Sequence, residues 1–268
     1  MTYFFSLPIL LLISMLSVLS RTSPAYGAPE YRYHFCPNDT TIPENSSYQS
    51  SLSSLLSSIS LYATSAFQFY SPAATSSLTS SLSSNAISKL QKFLNISDPI
   101  HALHLCRGDL TTEECIDCVA TAAKFLPKEC SRELVAVIWY AECMIRYSNA
   151  SFFSTMDEHP SVSLVNTQNI TEQERFNQLV NTTLIDLASQ ASEVPAGSNK
   201  FKTKEANFSE PQTIYSLVQC TPDLSTTDCK TCLVSAMAFL PSCCDGKQGE
   251  GFFRLAVTLG TKSTRFTR

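Results

Sequence analysis

The chain has 268 residues, 44% of them hydrophobic and 16% charged, with a formal net charge of −4. This apolar content is enough for packed cores and excludes a wholly disordered chain, and the length allows one large domain or two small ones. No basic run or Lys/Arg-rich face is present, which excludes the usual nucleic-acid footprint, and eleven cysteines suit an oxidising compartment better than the cytosol.

In chain order, residues Phe4 to Leu19 form the first feature, an apolar run with no Lys or Arg before it. It falls short of the roughly 20 residues a membrane span needs. Arg21 ends it, and Ala25 and Gly27 are the small residues of a cleavage site before Ala28. Residues 1–27 read as a secretory signal peptide, with an uncleaved anchor as the rival reading. No later stretch approaches spanning length. The expected mature chain is soluble and extracytoplasmic. Sequons at Asn38, Asn45, Asn95, Asn149, Asn169, Asn181 and Asn207 fit that compartment.

Tyr48, Leu52, Leu55, Leu56, Ile59 and Tyr62 have helical spacing within a Ser-rich stretch, which weakens the helix and leaves a flexible, O-glycosylatable segment as the alternative. A second helix is expected after Leu110. Thr111 or Thr112 caps it, Glu113 and Glu114 sit in its first turn, and Cys115, Cys118, Val119, Ala122 and Phe125 lie on one face. Pro127 is expected to end it. Leu134 to Tyr147 is strand-like. Further on, Phe176, Leu179, Val180, Leu184 and Leu187 mark a clearer helix, and Tyr215 to Gln219 a strand.

The cysteines reveal a duplication. Cys106, Cys115 and Cys118 form C-x8-C-x2-C, and Cys220, Cys229 and Cys232 form it again. The offset is 114 residues, which Cys130 and Cys244 share. The flanks agree as well: LCRGDLTTEECIDC against QCTPDLSTTDCKTC, then FLPKEC against FLPSCC. A whole α+β unit of two helices and several strands is repeated. The boundary is expected in the polar stretch 154–168.

Three chemistries compete for the cysteine pattern. Zinc would need further ligands. His101 and His104 lie near the first set, but the second copy has no His. A redox pair would want its C-x-x-C at a strand end in a βαβ unit. Disulfide staples suit small secreted domains best, and spacing alone leaves their pairing open.

The pattern C-R-G-D-L, C-x2-C, L-P, C and C-M-I-R-Y, duplicated behind a signal peptide, resembles the plant ginkbilobin-2-homologous domain. Tandem copies make cysteine-rich repeat secretory proteins and the ectodomains of cysteine-rich receptor-like kinases. ANFSEPQTIYSLVQCTPDLS is especially similar to the second domain of such proteins. The resemblance covers nearly all the chain after the leader. It implies two disulfide-stapled α+β domains, each with two helices packed on an antiparallel sheet of about five strands, at 28–156 and 157–268. It implies the pairs Cys36–Cys130, Cys106–Cys115, Cys118–Cys143 and Cys220–Cys229. Nothing in the second copy corresponds to Cys36, so Cys243 and Cys244 have no obvious partners.

The tail departs from the pattern. The second copy should carry a Cys near Val257 and an Arg-Tyr near Gly260, and has neither. Cys232 is thereby expected to be unpaired. Read across codon boundaries, GEGFFRLAVTLGTKSTRFTR permits RVFPSCSNVRYEVYPFY, which restores both features. A frame shift near Glu250 is therefore the preferred account, over a divergent tail or an intron read-through, and it would leave room for continuation into a membrane span and kinase. Were the tail authentic, the second domain would be truncated, lack its last strands and expose a sheet edge.

Three functions follow. The first is a binding or interaction module of the apoplast, in defence or stress signalling, with an extracellular protein, receptor ectodomain or cell-wall carbohydrate as partner. A truncated or frame-shifted receptor-kinase ectodomain is its variant. The second is a mannose-binding antifungal lectin. The resemblance places that sugar site at Pro37, Val137 and Ser148, which lack the necessary polar groups. The third, an enzyme, is not expected, because no paired acid–base groups or nucleophile elbow occur. No catalytic residue, metal or cofactor is expected. Asp109 and Asp223 recur at one repeat position, where a carboxylate preceding a helix is the simplest role. Arg107-Gly108-Asp109 reads as a turn, and Trp139 as core.

Overall fold

The computed structural model describes residues 27–38, 42, 47–63, 69–70 and 100–262. The apolar leader, the sequons at Asn45 and Asn95, the side chain of Tyr62 and most of the Ser-rich stretch after it lie outside them. Among the described residues, no helix is long and apolar enough to cross a membrane.

The first unit runs β1 (Tyr31–Phe35), α1 (Ser47–Tyr62), β2 (Phe69–Tyr70), β3 (His101–Cys106), α2 (Thr112–Glu129), β4 (Ala136–Tyr140) and β5 (Cys143–Ser148). The second runs β6 (Val162–Val165), α3 (Gln173–Ser192), β7 (Lys200–Ser209), β8 (Gln212–Cys220), α4 (Thr226–Met237), the short α5 (Leu240–Cys244), β9 (Gly249–Phe253) and β10 (Val257–Lys262). Each folds an antiparallel sheet, in the orders β1-β4-β5-β3-β2 and β6-β9-β10-β8-β7. The repeat is therefore one of topology as well as of cysteines.

Each sheet buries one face under its helices. Tyr48, Leu52, Leu56 and Ile59 of α1 and Cys118, Val119, Ala122 and Leu126 of α2 close over Ala102, Ala136, Ile145 and Tyr147. Phe176, Val180, Leu184 and Leu187 of α3 do the same over Val218, Phe252 and Leu259. The spacings i, i+4, i+8 and i+11 match in α1 and α3, so the Ser-rich helix forms on its apolar stripe despite its composition. Strand alternation sends the other residues to the opposite faces, where the two sheets meet. Leu103, Leu105, Val137, Trp139 and Met144 of the first sheet pack there with Phe152 and Leu255, flanked by Val162 and Phe253.

The helix caps are hydroxyls. Thr111 and Glu114 form a reciprocal capping box on α2, and Ser225 caps α4. Such a cap contributes about 1 kcal/mol. Asp109 and Asp223 do not serve this role, because the hydroxyl two residues on stands at the cap. Asp109 instead pairs with Arg107 at 2.6 Å, and Asp223 accepts from the Ser154 backbone at 2.6 Å.

Three local expectations are corrected. Pro127 lies inside α2 rather than ending it; it falls in the last turn, where the Cys130 amide still reaches the Leu126 carbonyl at 2.9 Å. Phe125 is not on the buried face but is 38% exposed, against Tyr31. Leu134 to Tyr147 is a hairpin rather than one strand, because Ala141 and Glu142 turn the chain between β4 and β5.

The expectation that an authentic tail leaves the second unit without its last strands and with an exposed sheet edge is corrected too. Residues 249–262 form the last two strands, and β10 lies between β9 and β8, paired on both sides. No exposed edge results there. Backbone pairing tolerates the missing Cys and Arg-Tyr, and alternation still places Val257 and Leu259 toward the helices.

Candidate functional site

Glycines open a cleft between the sheets. Gly251 and Gly260 face each other across β9 and β10, where the first sheet has Val137 opposite Arg146. The space left by their missing side chains is a cavity of about 400 Å³. Leu164, Leu217 and Phe253 wall it from the second unit. Glu30, Arg32, Arg107 and Ala141 close it from the first, with Lys262 at its end.

The charges are held by the backbone around them. The Glu30 amide donates to Glu142 Oε2 at 2.9 Å, and the Ala141 amide to the Glu30 carbonyl at 2.9 Å. Arg32 Nη2 meets Glu30 Oε2 at 2.7 Å, while its buried Nε has no hydrogen-bond partner among the described residues. Arg107 donates through Nε to Asp109 at 2.6 Å and through Nη1 to the Ala141 carbonyl at 2.9 Å. Burial pulls the Lys262 ammonium below its usual range. The Arg32 and Arg107 cations push the same way, and Glu30 and Glu142 oppose them. The result is a polar groove with three cations crowded at one end.

The Arg107-Gly108-Asp109 tripeptide belongs to this seam. Gly108 lies under Phe201 of β7, whose Cγ is 2.3 Å from where a Cβ would be built. Gln219 Nε2 crosses to the Cys106 carbonyl at 2.9 Å. The tripeptide is an interface turn.

Disulfides join Cys36 to Cys130, Cys106 to Cys115, Cys118 to Cys143 and Cys220 to Cys229. Cys243 and Cys244, for which the sequence offers no partners, are joined to each other. Cys232 is free and buried, and burial raises its thiol pKa, opposed by the nearby Arg254. His104, Cys106 and Cys115 come close enough to suggest a metal. The two sulfurs are spent on each other, however, and burial lowers the His104 imidazole to about 4, so it is neutral. This donor set does not fit a metal ion.

The three sugar positions are not brought together as a polar site. Val137 is buried in the inter-sheet core, Ser148 is buried with its hydroxyl accepting from Ala150, and Pro37 is half-buried. Trp139 is in the same inter-sheet core. Asn38, Asn149, Asn169, Asn181 and Asn207 are all exposed. Sequence reasoning missed Glu30, Arg32, Lys262 and Glu250. The signal lay in the 114-residue offset applied beyond the cysteines, which sets Gly251 against Val137 and Gly260 against Arg146.

Two disulfide-stapled α+β units joined through their sheets define a tandem cysteine-rich module of the ectodomain type. The chain belongs to the Stress-antifung family (salt stress response/antifungal), whose profile matches residues 35–150 and 163–257. It is 47% identical over 223 residues to cysteine-rich receptor-like protein kinase 25 of Arabidopsis thaliana, covering 82% of this chain and 30% of that kinase. It is 32% identical to an antimicrobial ginkbilobin-2-like protein of Castanea crenata, covering 87% of each. The tandem DUF26 ectodomain of the Arabidopsis thaliana receptor-like protein PDLP8 shares the fold at a TM-score of 0.70 and 18% identity, covering 89% of this chain and 100% of that one. The likeness to the kinases lies in this ectodomain-type tandem, and no enzymatic family is indicated for the chain. The second family match stops at residue 257, where β10 begins.

Proposed function

We propose that the chain is a secreted binding module of the plant apoplast, acting in defence or stress signalling, and that its ligand enters the cleft between the sheets. The observation that carries this reading is the cleft itself. It draws residues from both units, its floor is glycine, and Arg32, Arg107 and Lys262 crowd at one end. Concave sites with a few convergent polar groups are where ligands bind. A polar extracellular ligand suits it, because the cleft sets cations beside carboxylates, with Arg32 on Glu30 and Lys262 facing Glu30 and Glu142. The secretory and receptor-ectodomain relatives support the compartment.

The test is chemical crosslinking of the full secreted chain in apoplastic fluid. The double variant Arg32→Glu, Lys262→Glu is run in parallel, with a mannan and chitin glycan array on both proteins. A partner captured by the parent and lost in the variant supports the reading. Capture unaffected by charge reversal, or recovery of free monomer alone, overturns it. Mannan binding that survives the variant would favour a lectin acting elsewhere.

A second reading is favoured by the 47% identity to a receptor-like kinase: the chain represents the ectodomain of such a receptor. Sequencing the transcript across the codons for Gly249 to Arg268 and beyond tests it. A membrane span and kinase in frame would support it, and an in-frame stop would refute it.

A further inference from the structure

On the other side of β9 lies a second and larger cavity, of about 670 Å³, between α3, α4 and the sheet. Its origin is legible by comparing the two units. In the first, Tyr147 lies opposite Ala136, and its buried ring fills the space between sheet and helices. Its hydroxyl donates to the Cys130 carbonyl at 3.4 Å and the Glu133 carbonyl at 3.3 Å. Tyr48 of α1 closes the same region, donating to the Leu134 carbonyl at 2.9 Å. At the matching registers of the second unit, Thr261 lies opposite Glu250, and Phe176 of α3 takes the place of Tyr48. A ring and its anchoring hydroxyl have been lost, and a carboxyl has been gained.

Glu250 is on β9, which separates the two cavities, and borders both. Alternation turns its side chain to the helix side, with Phe252. It is 8% exposed, its Oε1 has no hydrogen-bond partner among the described residues, and the neighbouring Thr261 hydroxyl acts on the carboxyl. The Thr261 hydroxyl offsets only part of the cost of burial, and a buried carboxyl oxygen without a partner marks a place for one. The rest of the lining is largely apolar: Phe176, Val180, Met237 and Leu240, with Ile185 and Val234 exposed at the rim. Among the described residues the lining holds a second carboxylate, Asp245, and no basic residue. Burial raises the Glu250 carboxyl to about 7, which disfavours its charge, and a cation beside it would restore the ionised form.

We propose that this cavity is a binding site for a small lipophilic amine, whose ammonium pairs with Glu250 while its apolar body lies between α3 and α4. The volume is in the range that takes drug-sized molecules. Glu250 borders the inter-sheet cleft too, but the proposal does not rest on a ligand in that cleft.

The experiment is calorimetric titration of the full disulfide-bonded chain with hexylamine and, as a neutral control, 1-hexanol. Because the Asn181 sequon lies in the lining, Asn181→Gln is titrated alongside, so that a sugar chain at the rim cannot mask binding. Hexylamine is expected to bind more tightly than hexanol. Glu250→Gln should weaken hexylamine at least tenfold while leaving hexanol unchanged. Thr261→Tyr, which replaces the lost ring, should abolish both while raising the melting temperature. Hexylamine binding absent from both the parent and Asn181→Gln overturns the proposal, as does binding insensitive to Glu250→Gln and Thr261→Tyr. Hexanol bound as tightly as hexylamine overturns the ligand class.

Discussion

Asp157 and Glu158 are adjacent in the chain, yet their carboxylates hold opposite units: Asp157 accepts from Arg146 Nη2 of β5 at 2.6 Å, and Glu158 from Arg254 Nη1 beside β9 at 2.7 Å. Arg146 also lies 4.0 Å over the Phe152 ring, and Arg254 donates to Ser235 at 3.1 Å. The linker is thus tied by charge to both sheets. Arg254 is 1% exposed, so removing its carboxylate strands a buried guanidinium. Glu158 itself is partly exposed, and water offsets some of that cost. Glu158→Gln should destabilise the chain by about 2 kcal/mol, read from urea midpoints with an unchanged slope. The Ser235 hydroxyl and then Arg254 hold the Glu158 carboxyl below its usual range. Its contribution is therefore present at neutral pH and lost as pH falls through that lowered value, and the variant's deficit should shrink in acid.

Cys232 and Val257 form a second informative pair. Val257 lies opposite Cys220 just as Cys143 lies opposite Cys106, so Val257 stands where the first unit closes the Cys118–Cys143 bridge. Val257→Cys should restore a bridge to Cys232. Closing a loop of that length contributes about 3 kcal/mol in the chain-entropy account. Thiol titration in denaturant checks it: one free thiol in the parent, none in the variant. In the native parent the buried thiol should resist alkylation, because burial keeps it protonated. Rapid native labelling would contradict that placement.

The fold was largely legible because its signals are periodic. The repeat offset, the apolar stripes of α1 and α3 and the capping residue Thr111 all report local physics that tertiary context did not override. What escaped were features set by long-range register. The hairpin at Ala141 and Glu142 carries no Gly or Pro signal, so β4 and β5 read as one strand. The missing Cys and Arg-Tyr of the tail hide a strand, because β10 forms through backbone pairing and the alternation of Val257 and Leu259. The cleft depends on Gly251 facing Gly260, a pairing visible only once strand partners are known.

Gly108 tests how closely the two units must approach. A Cβ there would fall 2.3 Å from Phe201 Cγ and 2.5 Å from its Cβ, so rotating the ring does not relieve the overlap. Gly108→Ala should cost about 1–3 kcal/mol, the usual penalty of overpacking. Phe201→Gly, which removes the Cβ as well as the ring, should rescue the fit while forfeiting its packing, so the double variant should lose less than the two single losses combined. Strict additivity of the two in urea unfolding would show that Gly108 and Phe201 do not press on each other.

Glu250 and His104 give opposite pH slopes. Burial raises Glu250 to about 7, against the opposing Thr261 hydroxyl, so the folded state binds a proton that the unfolded chain has released. Its contribution is full at low pH, and stability falls as pH rises from the usual carboxylate value to about 7. His104 is lowered to about 4 by burial, so its contribution is present above the usual imidazole value and lost as pH falls toward 4. In the window where both act the slopes offset each other, and the parent should be nearly flat there. Glu250→Gln removes one of them. The variant should gain stability steadily with pH across that window and exceed the parent at pH 8 by about 3 kcal/mol. Urea midpoints taken from pH 4 to pH 8 read this directly, and parallel profiles for parent and variant would show that Glu250 titrates as an ordinary surface carboxylate.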